Sequence, residues 1–130
     1  MSLTSNTEEA APATGARKFV MAPTATADNA IASGTVYIAS ISFDNSNNAA
    51  AASFLKLYDA SAPTVGTTAP DWIISAKGGD KVHMVFFKNK PKFTTALSVA
   101  CVTAAGTAGA TSPTSAVSCT IRTQTAEDAV

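Results

Sequence analysis

Short runs of alternating apolar and polar residues, separated by Gly, Pro, Asn and Asp, most constrain what this chain can fold into. Alternation with a period of two places every second side chain on one face, which is the pattern of a half-buried strand. We therefore predict an all-β fold, a single antiparallel β-sandwich or jelly-roll-like domain. The predicted strands span residues 17–22, 34–43, 53–58, 71–76, 81–87, 96–103 and 115–122.

The predicted domain occupies residues 17–122, with a polar segment on either side. Residues 1–16 lack any period that would bury a face, so we expect an extended N-terminal arm. Residues 123–130 form a short polar C-terminal tail. One alternative is a helix over residues 48–57 (NAAAASFLKL), because four consecutive alanines favour helix. The turn-like residues 44–48 and the apolar residues that follow the alanines favour a strand instead.

The charge of the chain is balanced, with nine Lys plus Arg against nine Asp plus Glu. Without a net positive field, we expect no nucleic acid partner. No stretch approaches the roughly 20 apolar residues needed to cross a bilayer, so we also expect no membrane partner. We therefore do not expect a stand-alone role in DNA packaging or at a membrane surface.

The predicted strand 81–87 (KVHMVFF) carries bulky residues on both faces. If one face packs in the core, His83, Val85 and Phe87 point away from it and need a cover. The following KNKPKF stretch holds the most concentrated basic spot, with Lys88, Lys90 and Lys92. These lysines either meet an acidic protein surface or form a solvated loop that discourages edge aggregation. The interface that we predict consists of His83, Val85, Phe87, Lys88, Lys90 and Lys92.

The two cysteines lie in the predicted strands 96–103 and 115–122. A symmetric hairpin of these strands would place Cys101 opposite Cys119, at a distance that permits a disulfide in an oxidising setting. The alternative that we favour is a pair of buried free thiols, because free cysteine is among the most buried residue types.

The sequence offers little that is typical of an active site. His83 is the only imidazole and lies in the middle of a predicted strand, so we expect it to pack or to form an interface rather than to serve as a catalytic base. The aspartates stand singly in predicted turns, so we expect no metal and no cofactor. We predict a protein that is not an enzyme, and a small hydrolase with His83 as base is the distant alternative.

Four stretches carry a resemblance to a known group of proteins: LKLYDASAPTVGTTAP (55–70), the Gly78 and Gly79 turn, FTTALSVACVTAAG (93–106) and SAVSCTIR (115–122). They resemble small virion proteins of tailed bacteriophages, including capsid decoration or cement proteins. That pattern usually has Gly before the Leu-Ser-Val run, where this chain has Ala96.

The resemblance implies a non-enzymatic structural protein that binds the outer face of the major capsid shell and stabilises the head. It implies two partners, the major capsid protein and further copies of this chain, with a homotrimer favoured. The protein would be made in the host cytoplasm and reside on the capsid surface of the virion. The alternative is a phage tail, fibre or surface-adhesion module that binds host glycan.

Overall fold

The computed structural model describes residues 15–127, which form nine strands and no helix. The bounds of the strands are β1 Arg17–Met21, β2 Asp28–Ser33, β3 Val36–Asp44, β4 Ser53–Asp59, β5 Trp72–Ala76, β6 Lys81–Val85, β7 Lys92–Phe93, β8 Ala96–Val102 and β9 Ser118–Gln124. No helix in this part of the chain is long and apolar enough to span a membrane.

The strands form two antiparallel sheets that pack face to face. The five-stranded sheet has the order β1-β9-β3-β6, and the short β7 pairs with the other end of β3. The four-stranded sheet has the order β2-β8-β4-β5. The predicted all-β sandwich is therefore confirmed.

The core lies between the sheets and is built from the inward residues of each strand. In β3 every inward side chain is buried, and in β9 Cys119 and Ile121 lie opposite the core residues of β8. Partly buried residues close the edges of the core, among them Trp72 of one sheet and Phe86 beside the other, whose ring centroids are 5.6 Å apart. The contact between Trp72 and Phe86 thus covers the core at the edge of the sandwich where β6 lies.

The alternative helix over residues 48–57 is wrong. Residues 53–57 belong to β4, and the alanines before them lie in turns. Asn45, which is fully buried, holds this segment: its Nδ2 donates to the carbonyls of Ala51 and Lys77, and its Oδ1 accepts from Ser53 Oγ. Burial of Leu55 and Leu57 in the core then outweighs the helix preference of the alanines, since helix propensity is a weak term.

The predicted hairpin of the two cysteine-bearing strands is also wrong. β8 pairs with β2 and β4, whereas β9 pairs with β1 and β3 in the other sheet. Residues 103–117 connect β8 in one sheet to β9 in the other. Both strands have two neighbours in their own sheets, so they do not pair with each other. Cys101 and Cys119 are free, buried thiols in the shared core, as favoured from the sequence.

The four-stranded sheet has its outer face covered by the chain itself. Lys56 and Tyr58 point away from the core, yet both side chains are fully buried. The loop after β8 lies over Lys56, whose Nζ donates to the carbonyls of Gly106 (2.7 Å) and Gly109 (3.0 Å). Desolvation lowers the pKa of Lys56. Of the two outer faces, that of the five-stranded sheet is therefore the more accessible.

The ends of the predicted domain shift slightly. β9 runs to Gln124, two residues past the predicted end of the domain, and both added residues are buried. Residues 1–14 and 128–130, which include most of the predicted arm and the end of the predicted tail, lie outside the described residues.

Candidate interaction surface

β6 forms one edge of the five-stranded sheet and displays the predicted interface residues. Val82 and Met84 face inward and pack against the core, whereas His83 and Val85 face outward. This division follows from the alternation of side chains along a strand and agrees with the prediction that one face points away from the core. Whether that outward face is an interface stays a prediction.

Among residues 15–127, no strand pairs with the second side of the β6 backbone. Asn45 N donates to Asp80 O and Phe86 N donates to Ala39 O, each at 2.9 Å, at the two ends of the pairing with β3. Hydrogen-bonded and non-hydrogen-bonded pairs alternate in an antiparallel ladder, so the backbone groups of Lys81, His83 and Val85 point away from β3. Because β6 is an edge strand, they point out of the sheet.

A loop that we call the lysine loop (residues 87–92) follows β6 and leaves the edge. The chain rejoins β3 where Ile38 N donates to Pro91 O at 2.9 Å. Between these points Asn89 adopts a φ of 53°, a left-handed conformation that Asn tolerates better than most residues. Lys90 Nζ donates to Phe87 O at 3.1 Å within the loop. Phe87 lies outside the sheet, since β6 ends at Val85.

Phe87 is the most exposed large apolar side chain of the described residues, at 82% exposure, and Val85 is 48% exposed. Both line an open groove of about 760 Å³ on the outer face of the five-stranded sheet. The groove contains three cationic side chains and no acidic one among its lining residues, which are Ala39, Ser40, His83, Val85, Phe86, Phe87, Lys88, Lys90, Arg122 and Gln124. An apolar floor with a cationic rim is suited to a partner that brings apolar and acidic groups together.

Lys92 does not line this groove. Its Nζ lies 5.8 Å from the ring centroid of Tyr37, and the residue lines a separate depression with Trp72 and Asp59. The structure thus brings five of the six predicted interface residues together and places Lys92 beside them, facing another hollow.

The cations of the groove lack carboxylate partners. Within residues 15–127, Lys81 is the only cation within 4.0 Å of a carboxylate, at 3.9 Å from Asp44. Hydrogen bonds from the Ser46 side chain and backbone lower the pKa of Asp44, with a smaller contribution from Lys81. The uncompensated positive charge of Lys88, Lys90 and Arg122 was not evident from the balanced composition, since it arises from the way the sheet gathers these residues.

His83 has a partner that the sequence did not reveal. Ser42 Oγ lies 2.6 Å from His83 Nδ1, because the two residues are opposite each other on β3 and β6. Knowledge of the strand register would have found this pair. A serine nucleophile needs a third group that orients the histidine and donors for an oxyanion. In the described part of the chain, no carboxylate is hydrogen-bonded to His83, so the contact orients the ring along the sheet.

Three further ionisable groups with shifted pKa values, Asp59, Cys101 and Cys119, are hydrogen-bonded or buried in ways that support the fold. Burial opposes ionisation of Asp59, but hydrogen bonds from the backbone of Thr94, Thr95 and Ala96 keep its pKa below the usual value. Burial raises the pKa of Cys101 and of Cys119 to about 12. No group of three potential metal ligands is found within residues 15–127.

Comparison with known proteins gives no further guide to the site. No protein-family model matches the chain, and a search of curated proteins finds no significant match. A functional interpretation therefore depends on the residues and on the geometry of this surface.

Proposed function

We propose that this chain is a bacteriophage capsid decoration protein that binds the outer face of the major capsid shell and stabilises the head. The observation that carries the proposal is the exposed apolar and cationic surface at the β6 edge. Phe87 is 82% exposed directly after β6, and Val85 on the same strand is 48% exposed. An exposed apolar group with a charged rim is typical of a protein contact surface.

Attachment would stabilise the shell by mass action. A ligand that binds only the assembled shell adds a free energy that grows with its concentration relative to Kd. The cationic rim would steer the protein toward an acidic surface and orient it, so the salt concentration should affect attachment. Many equivalent copies on one shell make a modest affinity per copy sufficient, because their contributions to the stability of the whole shell accumulate.

Self-association is the second part of the proposal, with a trimer favoured. A trimer requires a surface patch that meets a different patch on the next copy, since three-fold contacts are heterologous. The free edge of β6 and the exposed Val20 lie at opposite edges of the same sheet, and Val20 is 68% exposed. The described chain therefore presents two different surface patches of the kind that such a contact joins.

A glycan-binding adhesion module is the competing proposal, and the aromatic residues support it less. Carbohydrate sites stack sugars on exposed aromatic faces, but Tyr58 is fully buried and Trp72 packs against Phe86. Tyr37 is half-buried with Lys92 over its ring. The hollow beside Trp72, of about 270 Å³, contains Asp59 and Asp71, which hydrogen-bond to the protein backbone.

The proposal includes the absence of enzymatic turnover. His83→Ala removes the Ser42 contact and leaves the core unchanged. The variant should change association or stability, and we expect no catalysed reaction for it to slow. The measurement is a panel of esterase, peptidase and glycosidase substrates on purified wild type and variant. A specific activity that disappears with His83 while the fold is intact would make the hydrolase alternative correct.

The test of the proposed function uses heads of the source phage from which the protein has been removed or omitted. Purified protein is mixed with these heads, and binding is measured by co-sedimentation. Resistance of the heads to heat and to low ionic strength is then compared with and without added protein. Saturable binding with increased resistance supports the proposal, and binding to tails or to host glycan without binding to heads contradicts it.

A further inference from the structure

β6 presents a backbone edge to which a further strand can be added. The backbone groups of Lys81, His83 and Val85 point out of the sheet, as the alternation of the pairing with β3 requires. Within the described chain, no loop or side chain hydrogen-bonds to these groups. An unpaired edge of this kind is a template for an extended chain.

The side chains of β6 also lack a neighbour on that side. Val82 and Met84 face the core but are only partly buried, whereas the inward residues of β3, which lies between β9 and β6, are buried. On the outward face, Val85 is 48% exposed. A strand beside β6 would therefore cover apolar surface on both faces of the sheet, in addition to forming backbone hydrogen bonds.

The edge is also regular. The pairing of β6 with β3 runs over five residues without a register shift. Edge strands that avoid association often contain a proline, a bulge or an inward-facing charge. β6 has none of these, and its only lysine, Lys81, lies at its first position. The main restriction on what pairs with β6 is therefore the charge around it.

That charge favours an acidic segment. Lys88 and Lys90 follow the end of β6, and in the described part of the chain neither lies within 4.0 Å of a carboxylate. A second copy that paired through β1 would bring Arg17 and Lys18 to this edge, and one that paired through β6 would add a second lysine loop. Like charges brought together oppose association, whereas acidic groups favour it.

The register of the sheet fixes the pattern of the added strand. An antiparallel neighbour continues the order of the sheet, and residues directly opposite each other lie on the same face. The residues opposite Val82, Met84 and Val85 should therefore be apolar. Because the strand is antiparallel to β6, its N-terminal end lies nearest to the lysine loop. Acidic residues are expected at that end.

We propose that an extended segment of the partner protein adds to β6 as an antiparallel strand. Its apolar residues cover both faces of β6, and its acidic N-terminal end lies toward the lysine loop. The inference rests on the proposed function, since it gives the mode by which the β6 edge attaches. Main-chain hydrogen bonds supply affinity in strand addition, and alternate side chains supply specificity.

The first test uses a synthetic probe, the octapeptide acetyl-EETVVTVT-amide. Its fourth residue is designed to pair with Val85 and its sixth with His83. Titrated into ¹⁵N-labelled protein, it should shift the amides of Lys81–Val85 and of the lysine loop in a saturable manner and leave those of β1 and β2 unchanged. The same peptide with two lysines in place of its two glutamates should bind more weakly.

Backbone methylation of the probe tests the hydrogen bonds. N-methylation of the sixth residue removes a donor that faces β6 and should weaken Kd about five-fold or more. N-methylation of the fifth residue, whose N–H points away from β6, is the matched control. No saturable shift at millimolar peptide, or an equal Kd for the two methylated peptides, overturns strand addition.

A proline variant tests the edge in the protein itself. The N–H of His83 points out of the sheet, so His83→Pro removes no hydrogen bond to β3. His83→Ala deletes the same side chain and keeps the N–H, so it is the matched control. We expect His83→Pro to bind the probe about five-fold or more weakly than His83→Ala, and equal binding overturns the proposal. If His83→Pro does not fold, Lys81→Pro and Lys81→Ala make the same comparison at the first residue of the strand, where proline is tolerated.

Binding to undecorated heads separates this proposal from the proposed function. If wild type binds heads and His83→Pro binds them as tightly as His83→Ala, attachment occurs without strand addition, and only the present proposal is wrong. If wild type binds the probe but not heads, strand addition is supported and capsid decoration is wrong. Self-association that His83→Pro abolishes, in a protein that does not bind the probe, would show that a second copy occupies the edge and would overturn the proposal.

Discussion

Phe87→Asp separates the fold of this protein from its association. Phe87 is 82% exposed, so its ring contributes little to the core. Substitutions at such positions change the free energy of unfolding by about 0.5 kcal/mol or less. We therefore expect the variant to keep the wild-type circular dichroism spectrum and a nearly unchanged Tm.

The effect on association should be much larger. Full burial of a Phe side chain contributes about 1.5–3 kcal/mol. Since Phe87 is 82% exposed, burial of that part in a contact contributes about 1.2–2.5 kcal/mol on the same scale. Loss of this contribution weakens Kd roughly 7- to 60-fold per contact. A carboxylate placed on an apolar partner surface adds a desolvation cost. The Phe87→Asp variant should therefore bind its partner more weakly than the Phe87→Ala variant.

The assay is co-sedimentation with undecorated heads, together with the sedimentation velocity of the free protein. Ala69→Asp is the control, because Ala69 is an exposed apolar residue in the loop between β4 and β5 of the other sheet. We expect Phe87→Asp to lose head binding or self-association while Ala69→Asp keeps both. If Phe87→Asp remains folded, oligomeric and bound to heads at the wild-type Kd, the β6 edge is not an interface.

Three further predictions follow from the same geometry. Replacing the lysines of the lysine loop with Gln should weaken attachment moderately and flatten its salt dependence, measured by co-sedimentation at two salt concentrations; a salt dependence equal to that of wild type would contradict the role given to the rim. Cys101 and Cys119 should resist alkylation at pH 8 in the folded protein and react in denaturant, where two thiols per chain should be titrated, and rapid native labelling would show that the core opens. Asp59 has a lowered pKa, so its contribution to stability is present above its unfolded pKa of about 3.9 and disappears as the pH falls through the folded value; Asp59→Asn should reduce the acid dependence of Tm, and an unchanged dependence would contradict this assignment.

Local patterns were sufficient to predict most of the strands. The alternation in KVHMVFF predicted the inward and outward residues of β6, and the turn residues separated the runs correctly. The polar run of β2, Asp28–Ser33, was missed because its sequence, DNAIAS, has little of the β-branched and aromatic character that marks strands. β7 has only two residues, too few to show a period.

Long-range features could not be predicted because they depend on which strands become neighbours. The sequence does not encode locally that β8 and β9 belong to different sheets, so the hairpin of the cysteine strands was a natural error. The same holds for the Ser42 contact of His83, which requires the register of β3 and β6. The covered Lys56 likewise depends on a loop that is 50 residues away in sequence.

The composition concealed the charge of the candidate site for the same reason. A chain with nine cations and nine anions has no net field, yet the fold gathers Arg122, Lys88 and Lys90 around one groove. Prediction of the surface residues from KNKPKF was possible because they are neighbours in sequence. Arg122 joins them only through the pairing of β9 with β3.

Cryo-electron microscopy of intact virions is the measurement that tests the proposed decoration of a capsid shell through the β6 edge. We expect repeated sandwich-shaped density on the outer surface of the head, with Phe87 and the lysine loop buried against the shell or a neighbouring copy. Density for this chain on the tail, or on the head with Phe87 facing solvent, would show that the proposed mode of attachment is wrong.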